Sequence, residues 1–305
     1  MTTARIQDSD GSRFVLPVAG GRPVEVLDAG PPGGLPFVFH PGTPSGLVAF
    51  KPMIDAAMAS GLRAIMYSRP GYGSSDPLPG RSVASAAADV DAILDHLGAD
   101  RFVTAGWSGG GPHALAAAAL LPQRCLAVAT IAGVAPRSAG GLDWAAGMAP
   151  ENLAEFAAAE QGEAPLTKFL QVAAPMLANV TGEQVAAELG GLASAADLSV
   201  LSGEFADYLA GSFRAAVSSG IAGWRDDDLA FVADWGFEPG DITVPLSIWQ
   251  GDQDAMVPFA HGRWLAGQVP SARAHLLTGE GHLTLILRLM PAVIDELAGL
   301  ASREN

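Results

Sequence analysis

Apolar and polar positions along the chain follow two rhythms. Short apolar runs bounded by Gly, Pro and Asp predict buried strands at residues 14–18, 24–27, 36–40, 63–67, 102–105, 126–131, 244–249 and 272–277. The first two read as a hairpin turned at Gly20 and Gly21. Helical spacing marks residues 48–60, 82–97, 112–121, 259–268 and 283–300, with Pro291 as a point where the last helix can bend. The clearest helix is capped by Ser82 and ended by Gly98. Val83, Ala87, Val90, Leu94 and Leu97 form its apolar stripe, and Asp89, Asp91 and Asp95 its wet side. Alternation of strands with helices predicts an α/β protein, a mostly parallel sheet covered on both faces. Function in such sheets gathers at the carboxyl ends of strands.

From about residue 137 to 240 the alternation stops. Ala-rich amphipathic stretches at 151–160, 166–178, 183–189 and 205–217 predict a helical insertion instead. The expected organisation is a core from residues 1–136 and 241–305, interrupted by helices over 137–240. No internal repeat is visible.

Composition narrows the function classes. At 305 residues and 49% hydrophobic content, the chain can bury a large core. No apolar run reaches the ~18 residues of a membrane span. The first residues lack the apolar stretch of a secretory signal, and the single Cys125 cannot form an internal disulfide. The expectation is a cytoplasmic protein, with Cys125 as core filler. A net charge of −15 argues against nucleic-acid and anionic-membrane partners. Asp226, Asp227 and Asp228 read as a solvated turn. The six histidines are scattered, without metal-ligand spacing, so neither metal nor cofactor is expected. Nothing in the sequence sets an oligomeric state.

One pentapeptide carries chemistry. Gly106-Trp107-Ser108-Gly109-Gly110 matches G-x-S-x-G, in which a serine stands on a sharp strand-to-helix turn. A predicted strand precedes it and a predicted helix follows, with Pro112 suited to the first helical turn. A serine nucleophile needs a base, and the base an orienting acid. Two loops, each just past a predicted strand, offer them: Asp252 and Asp254 in one, His282 in the other. His96, His113, His261 and His275 lie within helices or a strand and read as packed or dipole-facing residues.

With these residues in the order serine, acid, histidine, the chain resembles the α/β-hydrolase superfamily over nearly its whole length apart from the insertion. The resemblance implies the α/β-hydrolase fold and a Ser108–Asp254–His282 triad, with Asp252 as rival acid that can instead brace the turn. It implies Gly109 as one oxyanion donor. Pro41-Gly42-Thr43-Pro44 is similar to the family's H-G-x-P segment, which makes the Thr43 amide the second. Here Pro41 replaces the histidine and His40 stands one residue early, so a shift would pass that role to Gly42. Residues 68–76 are similar to the D-x-P-G-x-G-x-S loop, with Ser68 at the usual Asp. The insertion becomes a cap. Of its large residues Trp144, Met148, Phe156, Phe169, Met176, Phe205, Tyr208, Phe213 and Trp224, about a third are expected to line a pocket, with Trp107 and Gly42 beside the nucleophile.

The expected activity is hydrolysis of a small to medium, largely apolar ester, a small-molecule substrate taken through an acyl-enzyme. Alternatives are an aminopeptidase similar to proline iminopeptidases, a carbon–carbon bond hydrolase or lyase using the same triad, and a ligand receptor. The aminopeptidase needs a carboxylate in the insertion for the substrate amine, from Glu151, Glu155, Glu160, Glu163, Glu204 or Asp207.

Overall fold

The computed structural model describes residues 5–8 and 11–303. Among these, nine strands form one sheet: β1 (Arg5–Asp8), β2 (Gly11–Pro17), β3 (Pro23–Ala29), β4 (Leu35–His40), β5 (Leu62–Tyr67), β6 (Phe102–Trp107), β7 (Cys125–Ile131), β8 (Leu246–Gly251) and β9 (Arg273–Leu277). Their spatial order is β1-β2-β3-β5-β4-β6-β7-β8-β9. β1 to β3 pair antiparallel and β3 joins β5 antiparallel; from β5 onward every pairing is parallel. β1 has no counterpart among the expected strands.

Side chains alternate across this sheet with period two. On β4 and β5, Val38, Ile65 and Tyr67 enter one core cluster, while Phe37, Phe39, Ala64 and Met66 enter another. Helices then cover both faces. α1 (Lys51–Ala59) and the last helix pack on the second face, through Met53 and Ile54 on one and Met290 and Ile294 on the other. α2 (Ala86–Leu97) and α3 (Gly110–Leu120) cover the first, through Val90, Leu94 and Leu115. Cys125 is buried, and desolvation pushes its thiol up to about 12.

The Ser82 signal works through an intermediate turn. Ser82 and Ser85 close a capping box on a 3-10 turn, Val83–Ser85, which leads into α2. Gly98 ends α2 in the left-handed conformation, at φ 65°. Asp89, expected on the wet side, is buried instead and bonded to Arg22 from the turn before β3. A long-range partner moves this carboxylate inside, which helical periodicity alone does not reveal.

Between β7 and β8 the chain runs through α4 (Pro150–Glu160), α5 (Glu163–Asn179), α6 (Gly182–Leu189), α7 (Ala195–Leu198), α8 (Gly203–Val217) and α9 (Ala222–Val232). α4, α5, α8 and α9 share a small core, with Leu166, Leu170 and Trp224, into which Tyr72 of the β5–α2 loop also packs. α10 (Phe259–Gln268) and α11 (His282–Ala301) complete the chain, and α11 continues through Pro291. No helix among the described residues is long and apolar enough to cross a membrane.

The sheet order reverses around β4. From β4 the chain crosses to β5 on one side, while β6 lies on the other. Ligands of open α/β sheets bind at such a reversal, outside the carboxyl ends of the strands. His40 and Gly106, near the ends of β4 and β6, are register partners, so the loops that follow them are neighbours.

Candidate active site

Ser108 stands between β6 and α3 with φ 56°, a left-handed backbone that few non-glycine residues adopt. Such a conformation costs about 1–3 kcal/mol and persists only where the surroundings fix it. The Ser108 amide donates to the Ile131 carbonyl at 2.8 Å, and Gly111 donates back to the Ser108 carbonyl at 2.9 Å. Two glycines make the turn tight enough. A Cβ on Gly106 would lie 2.1 Å from the Gly110 carbonyl oxygen, and one on Gly110 would lie 2.0 Å from that of His40. Neither backbone can yield, so only glycine fits.

His282 opens α11 and reaches the cavity that Ser108 lines. Its Nδ1 donates to Asp254 Oδ2 at 2.8 Å, which leaves Nε2 to act as base. The other Asp254 oxygen accepts from the Met256 and Val257 amides at 2.9 and 2.8 Å, and Gln250 donates to Oδ2 at 3.2 Å. Asp252 lies elsewhere: it is exposed and braces the β9 turn by accepting from the Gly279 amide at 2.8 Å.

Burial by itself would lower the His282 pKa. The charge of Asp254 and its hydrogen bond outweigh burial, Asp197 adds to them, and the net shift is upward. Asp197, on α7, was not among the expected site residues. It is fully buried and accepts from the Leu283 and Thr284 amides at 2.6 and 3.3 Å, at the positive end of α11. A Cβ on Gly281 would lie 2.4 Å from it. Its serine three residues earlier, Ser194, is the only local sequence mark of this cap.

The loop after β4 is held by a buried ionic network. Arg69 donates to the Pro41 and Gly42 carbonyls at 2.6 and 2.8 Å and to Thr43 Oγ1 at 2.9 Å. Thr43 Oγ1 donates to Asp227 Oδ2 at 2.7 Å. Asp227 also accepts from Arg69 at 2.7 Å, Arg81 at 2.6 Å and the Tyr72 hydroxyl at 2.9 Å. The loop places Gly42 and Thr43 against the turn: a Cβ on Gly109 would lie 2.5 Å from Thr43 Oγ1, and one on Gly42 would lie 3.3 Å from Ser108 Cβ.

This corrects the expectation of a solvated turn at Asp226–Asp228. All three are buried on α9, two of them against guanidiniums. Asp226 bonds Arg225, Asp227 takes two arginines from the core, and Asp228 meets Glu155. Burial opposes the Asp227 charge, but the two guanidiniums prevail and hold its carboxyl well below the usual range. His113 is packed as expected, donating from Nδ1 to the Gly109 carbonyl at 2.8 Å. Burial and the nearby arginines bring its pKa down to about 3, so it is neutral at pH 7. Ser68 donates to Glu25 Oε2 at 2.8 Å, so a carboxylate serves that corner of the loop from β3.

Gly42, Thr43, Trp107, Ser108, Gly109 and His282 all line one cavity of about 290 Å³, with Asp254 behind His282. The Trp107 indole donates to the His282 carbonyl at 3.3 Å and packs 5.3 Å from its ring. More of the insertion faces this cavity than the expected third: Met148, Phe156, Phe169, Met176, Phe213 and Trp224 line it, while Trp144, Phe205 and Tyr208 do not. Glu151, Glu155, Glu188 and Asp228 are its charged lining. Desolvation raises the carboxyl pKa of both Glu155 and Asp228, and Asp228, beside Glu155, rises furthest. Among the described residues no cluster of metal-ligating side chains occurs.

A family model for the alpha/beta hydrolase fold matches residues 36–289. A 2-hydroxy-6-oxononadienedioate/2-hydroxy-6-oxononatrienedioate hydrolase from Cupriavidus pinatubonensis is 25% identical over 285 residues, 91% of each chain. Among solved structures, the enol-lactonase from Burkholderia xenovorans LB400 superposes with a TM-score of 0.67 at 19% identity, covering 94% of this chain and 99% of its own. An esterase from Exiguobacterium antarcticum gives the same score and identity, covering 94% of this chain and 98% of its own.

Proposed function

The chain belongs to the alpha/beta hydrolase fold family, and from that premise we propose that it hydrolyses a small to medium, largely apolar ester through an acyl-enzyme on Ser108. The observation that carries this reading is a serine on a left-handed turn facing the same cavity as a histidine whose far nitrogen is bound to a buried carboxylate. In the proposed mechanism His282 Nε2 takes the Ser108 proton as Oγ attacks the ester carbonyl. The Gly109 and Thr43 amides receive the oxyanion, in a loop already fixed by Arg69 and Asp227. The intermediate collapses, the C–O bond breaks, and the departing alcohol takes the proton from His282. Water, deprotonated by the same imidazole, then releases the acid and frees Ser108. The helices over 137–240 act as a cap that supplies the apolar wall and excludes water.

The carbon–carbon bond reading is less favoured. The Cupriavidus relative is named for a dioate, a substrate with two carboxylates. Here four carboxyl side chains line the cavity, and among the described residues no lysine or arginine does, so a dianion would be repelled. A panel of neutral p-nitrophenyl esters and monoesters of dicarboxylic acids tests this. The neutral esters should turn over, and Ser108→Ala should cut the rate by at least about 10³-fold. The proposal fails if no ester shows Ser108-dependent turnover.

A further inference from the structure

The cavity holds a polar feature that ester hydrolysis does not use. Glu155 of α4 and Asp228 of α9 meet on its wall. Asp228 is 1% exposed, and among the described residues its buried Oδ2 has no hydrogen-bond partner. The Trp224 indole fixes the arrangement by donating to Glu155 Oε1 at 2.6 Å.

Such a pair is a poor way to join two helices. Two carboxyls in an apolar wall cost more to bury than well-packed hydrophobic side chains of similar volume. Among the described residues no neighbouring cation is free to answer them. The guanidinium that acts on Asp228 belongs to Arg81, which already donates to Asp227 and to the Gly223 carbonyl. Burial raises the pKa of both carboxyls, Asp228 furthest, so a pair sharing one proton would carry one negative charge. Glu151 and Glu188, also on the lining, deepen the negative potential. Trp224, Phe156, Phe169 and Phe213 line the same cavity, and aromatic faces attract cations. An anion would meet repulsion here, and a neutral alkyl group would leave the charge unanswered. An ammonium would bring the local charge to zero and supply three donors.

On the reading that Ser108 is the nucleophile, we infer that the Glu155–Asp228 pair binds a protonated amine, so that the substrate is an ester whose apolar body ends in an ammonium group. The amine sits against α4 and α9 while the ester carbonyl meets Ser108.

Calorimetric titration of the whole protein with hexylammonium, hexanol and hexanoate tests the site without turnover. Hexylammonium should bind at least about tenfold more tightly than hexanol, and hexanoate more weakly than either. Asp228→Asn and Glu155→Gln, which keep shape and remove charge, should each reduce the hexylammonium preference at least about fivefold. Because each preference is a ratio within one protein, a partly destabilised variant still gives a usable value. Equal affinity for hexylammonium and hexanol, or a preference that neither variant changes, overturns the amine site. Matched p-nitrophenyl 6-aminohexanoate and heptanoate separate the two readings. Ser108-dependent turnover of both without preference for the amine sinks the amine site alone. Amine binding that persists with no Ser108-dependent turnover sinks the serine reading and leaves the amine site standing.

Discussion

Replacing Asp227 with Asn removes one charge from the point where the α9 segment and the β4 loop meet. The carboxylate is fully buried and receives Arg69, Arg81, Tyr72 and Thr43. Asparagine keeps the shape but leaves two buried guanidiniums without a counter-charge, and its amide hydrogens face Arg69. Breaking a buried pair in this way costs about 3–5 kcal/mol, a large fraction of the about 5–15 kcal/mol that holds a domain folded. Urea unfolding followed by circular dichroism should therefore show a loss of about 4 kcal/mol at pH 7. The pH dependence adds a second requirement. A carboxylate held below its unfolded value, about 3.9, contributes stability that is present above that pH and fades as pH falls below it. The gap between wild type and variant should be flat from about pH 5 to 8 and close only below about pH 4. Because Arg69 also holds the Pro41 and Gly42 carbonyls, folded variant should lose kcat on a neutral ester more than it gains in KM. A stability loss under about 1 kcal/mol with kcat intact would refute the claim that this network fixes the loop.

Three further outcomes follow from the same geometry. Asp254→Asn should lower kcat/KM by about 10⁴-fold through loss of the imidazole tautomer, while Asp252→Asn, which removes only a turn brace, should stay within about tenfold. The acid limb of the kcat/KM profile should lie above pH 6.5, because His282 must be neutral to act and its pKa is raised; Asp197→Asn should move that limb down, as read in a pH titration of initial rates. Gly110→Ala forces a methyl to within 2.0 Å of the His40 carbonyl oxygen and should cost about 3 kcal/mol or more, a drop in Tm of about 6 °C or more by scanning calorimetry.

Much of the scaffold is legible in the sequence because it is local. The strand pattern, the αL glycine at 98 and the small residues around Ser108 each follow from neighbours in the chain. The hidden parts depend on distant partners. Three adjacent aspartates on α9 look like a surface run until Arg69 and Arg81, about 150 positions earlier, are brought beside Asp227. Asp89 looks solvated until Arg22 from another hairpin covers it. Asp197 gives almost no signal, since α7 is only four residues long and its target, the start of α11, is formed 86 residues later. The insertion was readable as helical but not in its facing, because apolar residues at helical spacing serve a core and a cavity wall equally well.

The reaction proposed for this protein turns on one oxygen atom, Ser108 Oγ. Incubation with a fluorophosphonate, followed by peptide mass spectrometry, reads directly which side chain is nucleophilic. A single adduct on Ser108 is expected, lost in Ser108→Ala and slowed at least about 10³-fold in His282→Ala. An adduct on another residue, or labelling of Ser108 that is indifferent to His282, would contradict it.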